Sequence, residues 1–208
     1  MKYNKKNLFI SFEGPEASGK STQINLLKSF FIKNKISHII TREPGGTKIA
    51  EKLRKIILDK KLSITSHEEL LLLMAARLNH INNVIKPALN KGKIVVSDRF
   101  ADSTFVYQGY NNNFGLNKSI KLHEEIINNF LPKKTFLFLL SANEINKRLK
   151  KRKIFNKYDK SNLKFHENIL SGYKKLSNNN KRFILIDATL PKMIIHNNII
   201  KIVQKLIK

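Results

Sequence analysis

Short, continuous apolar runs alternate along this chain with longer stretches whose apolar residues recur at helical spacing. "NLFISFEG" (7–14) predicts a buried strand ending in a glycine loop. "SGKSTQINLLKSFFIKN" (18–34) then predicts a helix carrying Ile24, Leu27, Phe30 and Phe31 at helical spacing. "SHIITREPGG" (37–46) reads as a second strand running into a turn at Pro44-Gly45-Gly46. Helices are expected over 47–58 and 67–90, the second long and leucine-rich, and "KIVVSDRF" (93–100) is a third strand. A helix over 117–129 precedes a fourth strand, "KTFLFLL" (134–140). Ser141-Ala-Asn-Glu144 has the form of a capping box opening the helix "NEINKRLKKR" (143–152). After the polar break "FNKYDKSN" (155–162) come a helix over 162–177, a fifth strand "RFILID" (182–187) and a closing helix over 192–207.

Continuous apolar strands alternating with helices define an α/β fold with a parallel sheet. No repeat, linker or composition break divides the chain, so a single domain over residues 1–208 is expected. Ligands of such sheets bind beyond the carboxyl ends of the strands. Glu16, Arg42-Glu43, Asp98-Arg99 and Asp187 all fall at or just after predicted strand ends, so the four clusters are expected to converge on one edge.

"FEGPEASGKST" (12–22) contains Gly14-x-x-x-x-Gly19-Lys20-Ser21 between a strand and a helix, the context that a phosphate-binding loop requires. The backbone of Gly14, Pro15, Glu16, Ala17, Ser18, Gly19, Lys20, Ser21 and Thr22 is placed to wrap nucleotide phosphates. Lys20 would reach the terminal ones and the Ser21 hydroxyl would bind Mg²⁺, so ATP-type binding follows. Asp98, at a strand end beside the loop, is the second acid expected near that Mg²⁺, with Arg99 as a phosphate contact. Glu16 is an oddity, a carboxylate inside an anion cradle. Arg77 interrupts the apolar face of "LLLLMAARLNH", and His80 lies one turn on. "RLKKRK" (148–153) reads either as the solvated end of a helix or as a mobile basic lid over about 148–160.

Composition removes several classes of function. With no cysteine there is no disulfide, thiolate zinc site or cysteine nucleophile. The basic N-terminus lacks the apolar run of a signal peptide, and "TFLFLL" is too short to span a bilayer; a cytoplasmic protein is the expectation. The net charge of +25 would suit a nucleic-acid or membrane-surface protein. However, the lysines are scattered along the whole chain and accompany abundant asparagine and isoleucine, a pattern of compositional drift rather than of a binding arm. Only seven of the 40 basic residues are arginine (42, 54, 77, 99, 148, 152 and 182). Where lysine is so readily tolerated, a retained arginine is one whose planar fork is needed.

Together these segments resemble the thymidylate kinases, the dTMP kinase branch of the P-loop nucleoside monophosphate kinases, in their bacterial type. The resemblance runs through "FEGPEASGKST", "TREPGGT" (41–47), "AARLNH" (75–80), "VIKPAL" (84–89), "SDRFADSTFVYQG" (97–109), "KRLKKR" (147–152) and "FHENILSGY" (165–173). It implies a five-stranded parallel sheet of P-loop NTPase type, a short basic lid, and MgATP-dependent phosphorylation of dTMP to dTDP on the way to dTTP. By the same resemblance Arg42 and Arg99 match groups that hold the acceptor phosphate, and Asp98 the acid near Mg²⁺. Glu16 matches an acid near the acceptor's sugar hydroxyl and the magnesium site. Arg77, Ser103 and Thr104 match positions around the thymine base, and Tyr107 and Gln108 the deoxyribose and base pocket. Arg148, Lys150 and Arg152 match the lid. The family pattern also implies a homodimer packed through helices, with no nucleic-acid or membrane partner. The chain departs from that pattern at Ala17, where some members carry an arginine, and at "NKYD" (156–159) in the lid. It departs again at Leu73, where a phenylalanine usually stacks on the base. Two other readings remain open from the sequence: a kinase of the same fold with another acceptor, and a basic ATP-switched nucleic-acid-binding module.

Overall fold

The computed structural model describes residues 7–151 and 162–207. Five strands, β1 (Phe9–Glu13), β2 (His38–Arg42), β3 (Ile94–Asp98), β4 (Lys134–Leu139) and β5 (Phe183–Asp187), form one sheet in the order β2-β3-β1-β4-β5. Every pairing is parallel, as continuous apolar strands require. All five residues of β1 and four of β3 are buried, which is why these two read as unbroken apolar runs. Register sets the functional edge: Arg42 pairs with Asp98, and Asp98 with Phe12, so the ends of β2, β3 and β1 lie side by side.

Side chains alternate across the sheet with the two-residue period of a strand. Ile10 and Phe12 point into a cluster with Leu27, Phe31, Phe136 and Phe138, packed under α1 (Lys20–Lys33) and α9 (Lys192–Ile207). Phe9 points the other way, against Leu70, Met74 and Phe100, under α3 (Ser66–His80) and α6 (Leu116–Ile127). Of the remaining helices, α2 (Lys48–Leu58) lies against α3, and α7 (Ala142–Lys150) contacts α8 (Leu163–Ser177).

Three local features depart from the sequence-based expectation. The run expected as one helix over 67–90 is α3, a π-helical segment (Ile81–Ile85) and α4 (Lys86–Asn90). Pro87 has no N–H to give the carbonyl of Asn83, and the turn before it widens so that the Lys86 N–H reaches the Ile81 carbonyl. The segment between β3 and α6 is also helical, α5 (Ala101–Thr104) passing into a seven-residue π-helix (Phe105–Asn111). Its six consecutive residues Thr104 to Gly109 are all buried, so no amphipathic period marks it. Finally, Ser141 accepts from the Glu144 N–H as a capping box requires, but the Glu144 carboxylate pairs with Arg148 instead of returning to the cap. A complete capping box forms elsewhere, between Thr65 and Glu68 at the head of α3.

Candidate active site

β1 ends at Glu13 and the chain turns through Gly14 to Gly19 into α1. Gly14 (φ 133°), Ala17 (φ 55°) and Gly19 (φ 91°) all have positive φ, which turns successive backbone N–H groups toward one concavity, an anion-binding nest at a helix N-terminus. A Cβ on Gly14 would run into the Phe138 carbonyl of β4, so glycine is needed there on two counts. Lys20 folds back over this loop, its Nζ donating to the Gly14 carbonyl (3.0 Å), the Pro15 carbonyl (2.7 Å) and Ser18 Oγ (3.2 Å). Burial and the Arg99 guanidinium push its amine down to about 7, against the pull of Asp98, Glu16 and Glu13. At the next residue, Ser21 Oγ donates to Asp98 Oδ2 at 2.7 Å, bridging α1 and the end of β3. A hydroxyl and a carboxylate side by side, next to a phosphate nest, are the hard oxygen donors that suit Mg²⁺. No group of three or more His, Asp or Glu suited to a metal occurs among the described residues.

Arg99, in the left-handed region (φ 66°), projects back across the loop. Its Nη1 donates to the Gly14 carbonyl and to Ser103 Oγ, both at 2.9 Å, and its Nη2 to Glu16 Oε1 at 2.9 Å. Tyr107, from the π-helix, donates its hydroxyl to the same Glu16 carboxylate (2.7 Å to Oε2). The sequence oddity is thereby resolved: the buried Glu16 turns away from the phosphate nest and meets an arginine and a tyrosine. Behind this pair lies a carboxylate that the sequence reading did not single out. Glu13 is fully buried and accepts from the Phe100 N–H (2.6 Å), Ser103 Oγ (2.6 Å) and Tyr173 Oη of α8 (3.0 Å). The only sequence signal for it is an acid closing an otherwise apolar strand.

Burial, then the neighbouring Asp102, push the Glu13 carboxyl up from 4.5 to about 7. Between those pH values the folded chain holds a proton that the unfolded chain has released, so stability from this group is full below about pH 4.5 and lost as pH rises through 7. His123 works the opposite way: burial lowers it from 6.5 to about 4, so the stability it contributes grows as pH rises from about 4 to 6.5. The Glu13→Gln variant separates the two. Wild type is expected to lose stability relative to Glu13→Gln between pH 5 and 7.5, by about 2 kcal/mol. Urea unfolding at the two pH values measures it, and a pH-independent difference contradicts it.

A cavity of about 320 Å³ opens in front of these groups, and Glu16, Lys20, Asp98, Arg99, Leu73, Arg77, Thr104 and Gln108 are among the residues that line it. Arg77 is 2% exposed, lies over the Phe100 ring at 5.2 Å, and donates to Glu43, Thr104 and the Phe100 carbonyl. Gln108 donates to Glu69 of α3 (3.0 Å), and Leu73 is an aliphatic wall. Arg42 lies at the mouth, held by Glu51 of α2 (3.0 Å). Arg54, another residue not singled out from sequence, lines the same cavity and donates to the Pro44 carbonyl (2.8 Å). Its signal was available, since it is one of only seven arginines in a lysine-rich chain.

Two expected members lie apart. Asp187 does not join the cavity; its carboxylate caps Thr189 at the exposed end of the edge strand β5. Arg148 is engaged with Glu144, the Ala188 carbonyl (2.9 Å) and the Ala17 carbonyl (3.5 Å), beside the loop rather than in the cavity. Lys150 is exposed, and Arg152 with "NKYD" (156–159), the greater part of the expected lid, lies outside the described residues.

This fold, with its glycine loop, Ser21–Asp98 pair and arginine-lined cavity, defines a P-loop nucleotide-binding protein of the kinase type. The family model for thymidylate kinase matches residues 12–199. Similar proteins include the thymidylate kinase of Thermoanaerobacter sp. (strain X514), 39% identical over 96% of this chain and 98% of its own. That of Mycoplasma capricolum is 40% identical over 97% of this chain and 96% of its own. That of Orientia tsutsugamushi is 43% identical over 81% and 79%. The chain belongs to the thymidylate kinase family.

Proposed function

We propose that this chain transfers the γ-phosphoryl group of ATP to the 5′-phosphate of dTMP, giving ADP and dTDP on the route to dTTP. The observation that supports it best is one cavity shared by a phosphate nest with its lysine (Lys20), a hydroxyl–carboxylate pair (Ser21–Asp98) and two arginines, Arg99 and Arg77. An acceptor phosphate is already a nucleophile, so no general base is required and the work is positioning and charge neutralisation. Gly14 to Thr22 and Lys20 hold the donor phosphates, and Arg99, Arg42 and Arg54 orient the acceptor phosphate. Tyr107 and Glu16 face its sugar; Arg77, Ser103, Thr104, Gln108 and Leu73 face its base. Ser21 and Asp98, with Glu16 nearby, would hold Mg²⁺, which when bound neutralises charge on the phosphate oxygens.

No helix among the described residues is long and apolar enough to cross a membrane. We place the protein in the cytoplasm as one catalytic unit over residues 1–208, acting on small molecules and not on nucleic acid. We also propose that it is a homodimer. Leu71 and Leu78, seven residues apart on α3, and Ile126 on α6 are exposed, and the two helices are neighbours. Light scattering at micromolar concentration measures the mass directly.

The activity is tested by following ADP release from ATP with and without dTMP, in Mg²⁺ and in excess EDTA. Release that needs both dTMP and Mg²⁺ is expected. Release independent of dTMP contradicts the assignment.

A further inference from the structure

Arg77 is a buried guanidinium whose hydrogen bonds are nearly all committed before any ligand arrives. Its Nε donates to Glu43 Oε2 (2.7 Å), and its Nη2 donates to Thr104 Oγ1 (2.8 Å) and the Phe100 carbonyl (3.3 Å). Among the described residues Nη1 meets only the sulfur of Met74, at 3.8 Å, so this is the nitrogen with N–H groups to spare for a ligand in the cavity. Which way that edge points depends on Glu43, and Glu43 is itself held. Its second oxygen, Oε1, faces His80 Nδ1 at 2.9 Å, and His80 Nε2 meets Thr41 Oγ1 at 2.6 Å. A carboxylate only accepts, so Nδ1 carries a proton. His80 is fully buried, and a Cβ on Gly46 would come within 2.5 Å of its Nε2. The imidazole is thus clamped between the end of β2, the Pro44-Gly45-Gly46 turn and α3.

We propose that His80 is a positioning residue for base selection: through Glu43 it fixes the Arg77 guanidinium so that its free N–H edge is presented to a carbonyl acceptor on the base. The inference rests on the reading of this cavity as the dTMP pocket. A fixed donor edge favours the 4-carbonyl of thymine and meets the 4-amino group of cytosine donor to donor, leaving buried polar groups unpaired on both sides. Without the His80 contact Glu43 has one fewer tether, and the guanidinium can turn to let the amino group pass. A merely structural role for His80 would lower the use of both nucleotides alike, whereas a positioning role changes their ratio.

The test compares kcat/KM for dTMP and dCMP in wild type, His80→Leu, His80→Asn and Arg77→Leu, with KM for ATP as a check on the rest of the site. Asparagine places an amide N–H where Nδ1 lies; leucine fills the space without a donor. His80→Leu is expected to narrow the dTMP:dCMP ratio about tenfold, the scale of one hydrogen bond to a charged group, with the ATP KM unchanged. His80→Asn is expected to restore most of the ratio. If Arg77→Leu collapses the ratio while His80→Leu leaves it intact, or lowers both nucleotides equally, the role of His80 is overturned and the pocket reading survives. If Arg77→Leu also leaves the ratio untouched, both fall together.

Discussion

Lys20→Ala is expected to lower kcat by roughly 10³-fold or more, the scale on which a fixed cation at a transferring phosphoryl group acts. In this structure the lysine is 7% exposed and its three hydrogen bonds all go to its own loop. Those partners are the Gly14 and Pro15 carbonyls and Ser18 Oγ, groups that a phosphate oxygen outcompetes by carrying full negative charge. With the amine held down at about 7, an arriving phosphate also favours its charged form, so donor binding and charging of Lys20 reinforce each other. The loop itself should survive the change, because Arg99 still holds the Gly14 carbonyl and β1 is buried along its whole length. Dissociation constants for dTMP, measured by calorimetry, are therefore expected to stay within a few-fold of wild type while turnover disappears. A variant that keeps kcat within tenfold contradicts the role given to Lys20.

Arg99→Ala is expected to act on the other substrate. Its guanidinium spans the Gly14 carbonyl, Ser103 and Glu16, and with Tyr107 it forms the floor on which an acceptor phosphate would rest. Hydrogen bonds from a guanidinium to phosphate are charge-assisted and bidentate, each about 1.5–3 kcal/mol, so a rise of about 100-fold in the dTMP KM is expected, with a fall in kcat of similar size. Removing the cation also leaves Glu16, among the described residues, with the Tyr107 hydroxyl as its one remaining side-chain hydrogen bond, and part of the loss comes from that less compensated carboxylate. Arg99→Lys should recover little, because a point charge cannot bridge Gly14 and Glu16 together. Steady-state kinetics with each substrate varied in turn separate the effects. If the dTMP KM and kcat are both unchanged, Arg99 does not hold the acceptor.

What the sequence made legible follows from what repeats along it. Strands buried on both faces, such as β1 and β3, appear as unbroken apolar runs, and helices with one wet face, such as α1 and α9, appear by their period; all five strands and their parallel sense were therefore readable. The π-helix over Phe105–Asn111 was not, because a helix buried all round carries no period, although four of the expected pocket residues lie on it or on the turn before. At the site, residues tied to a local motif were found: Lys20 and Ser21 by the glycine loop, Asp98 and Arg99 by their strand end. The residues that escaped act at long range. Glu13 gathers donors from Phe100, Ser103 and Tyr173, up to 160 residues away in sequence, and no local pattern encodes such a meeting. Arg54 matters through a turn whose shape only the fold supplies. Asp187 shows the converse error, since a strand-end acid at the sheet's edge satisfies the same rule as Asp98 yet lies away from the cavity.

The central claim, that this cavity takes dTMP as acceptor, is tested most directly by kcat/KM for MgATP-dependent ADP release across dTMP, dUMP, dCMP, dAMP, dGMP and thymidine. Arg77's donor edge and the aliphatic Leu73 wall favour a pyrimidine with a 4-carbonyl and a 5-methyl group, and Arg99 favours an acceptor that already carries a phosphate. The expected order places dTMP first, dUMP next, and dCMP, both purine nucleotides and thymidine far behind. Fastest turnover on any acceptor other than dTMP contradicts the claim.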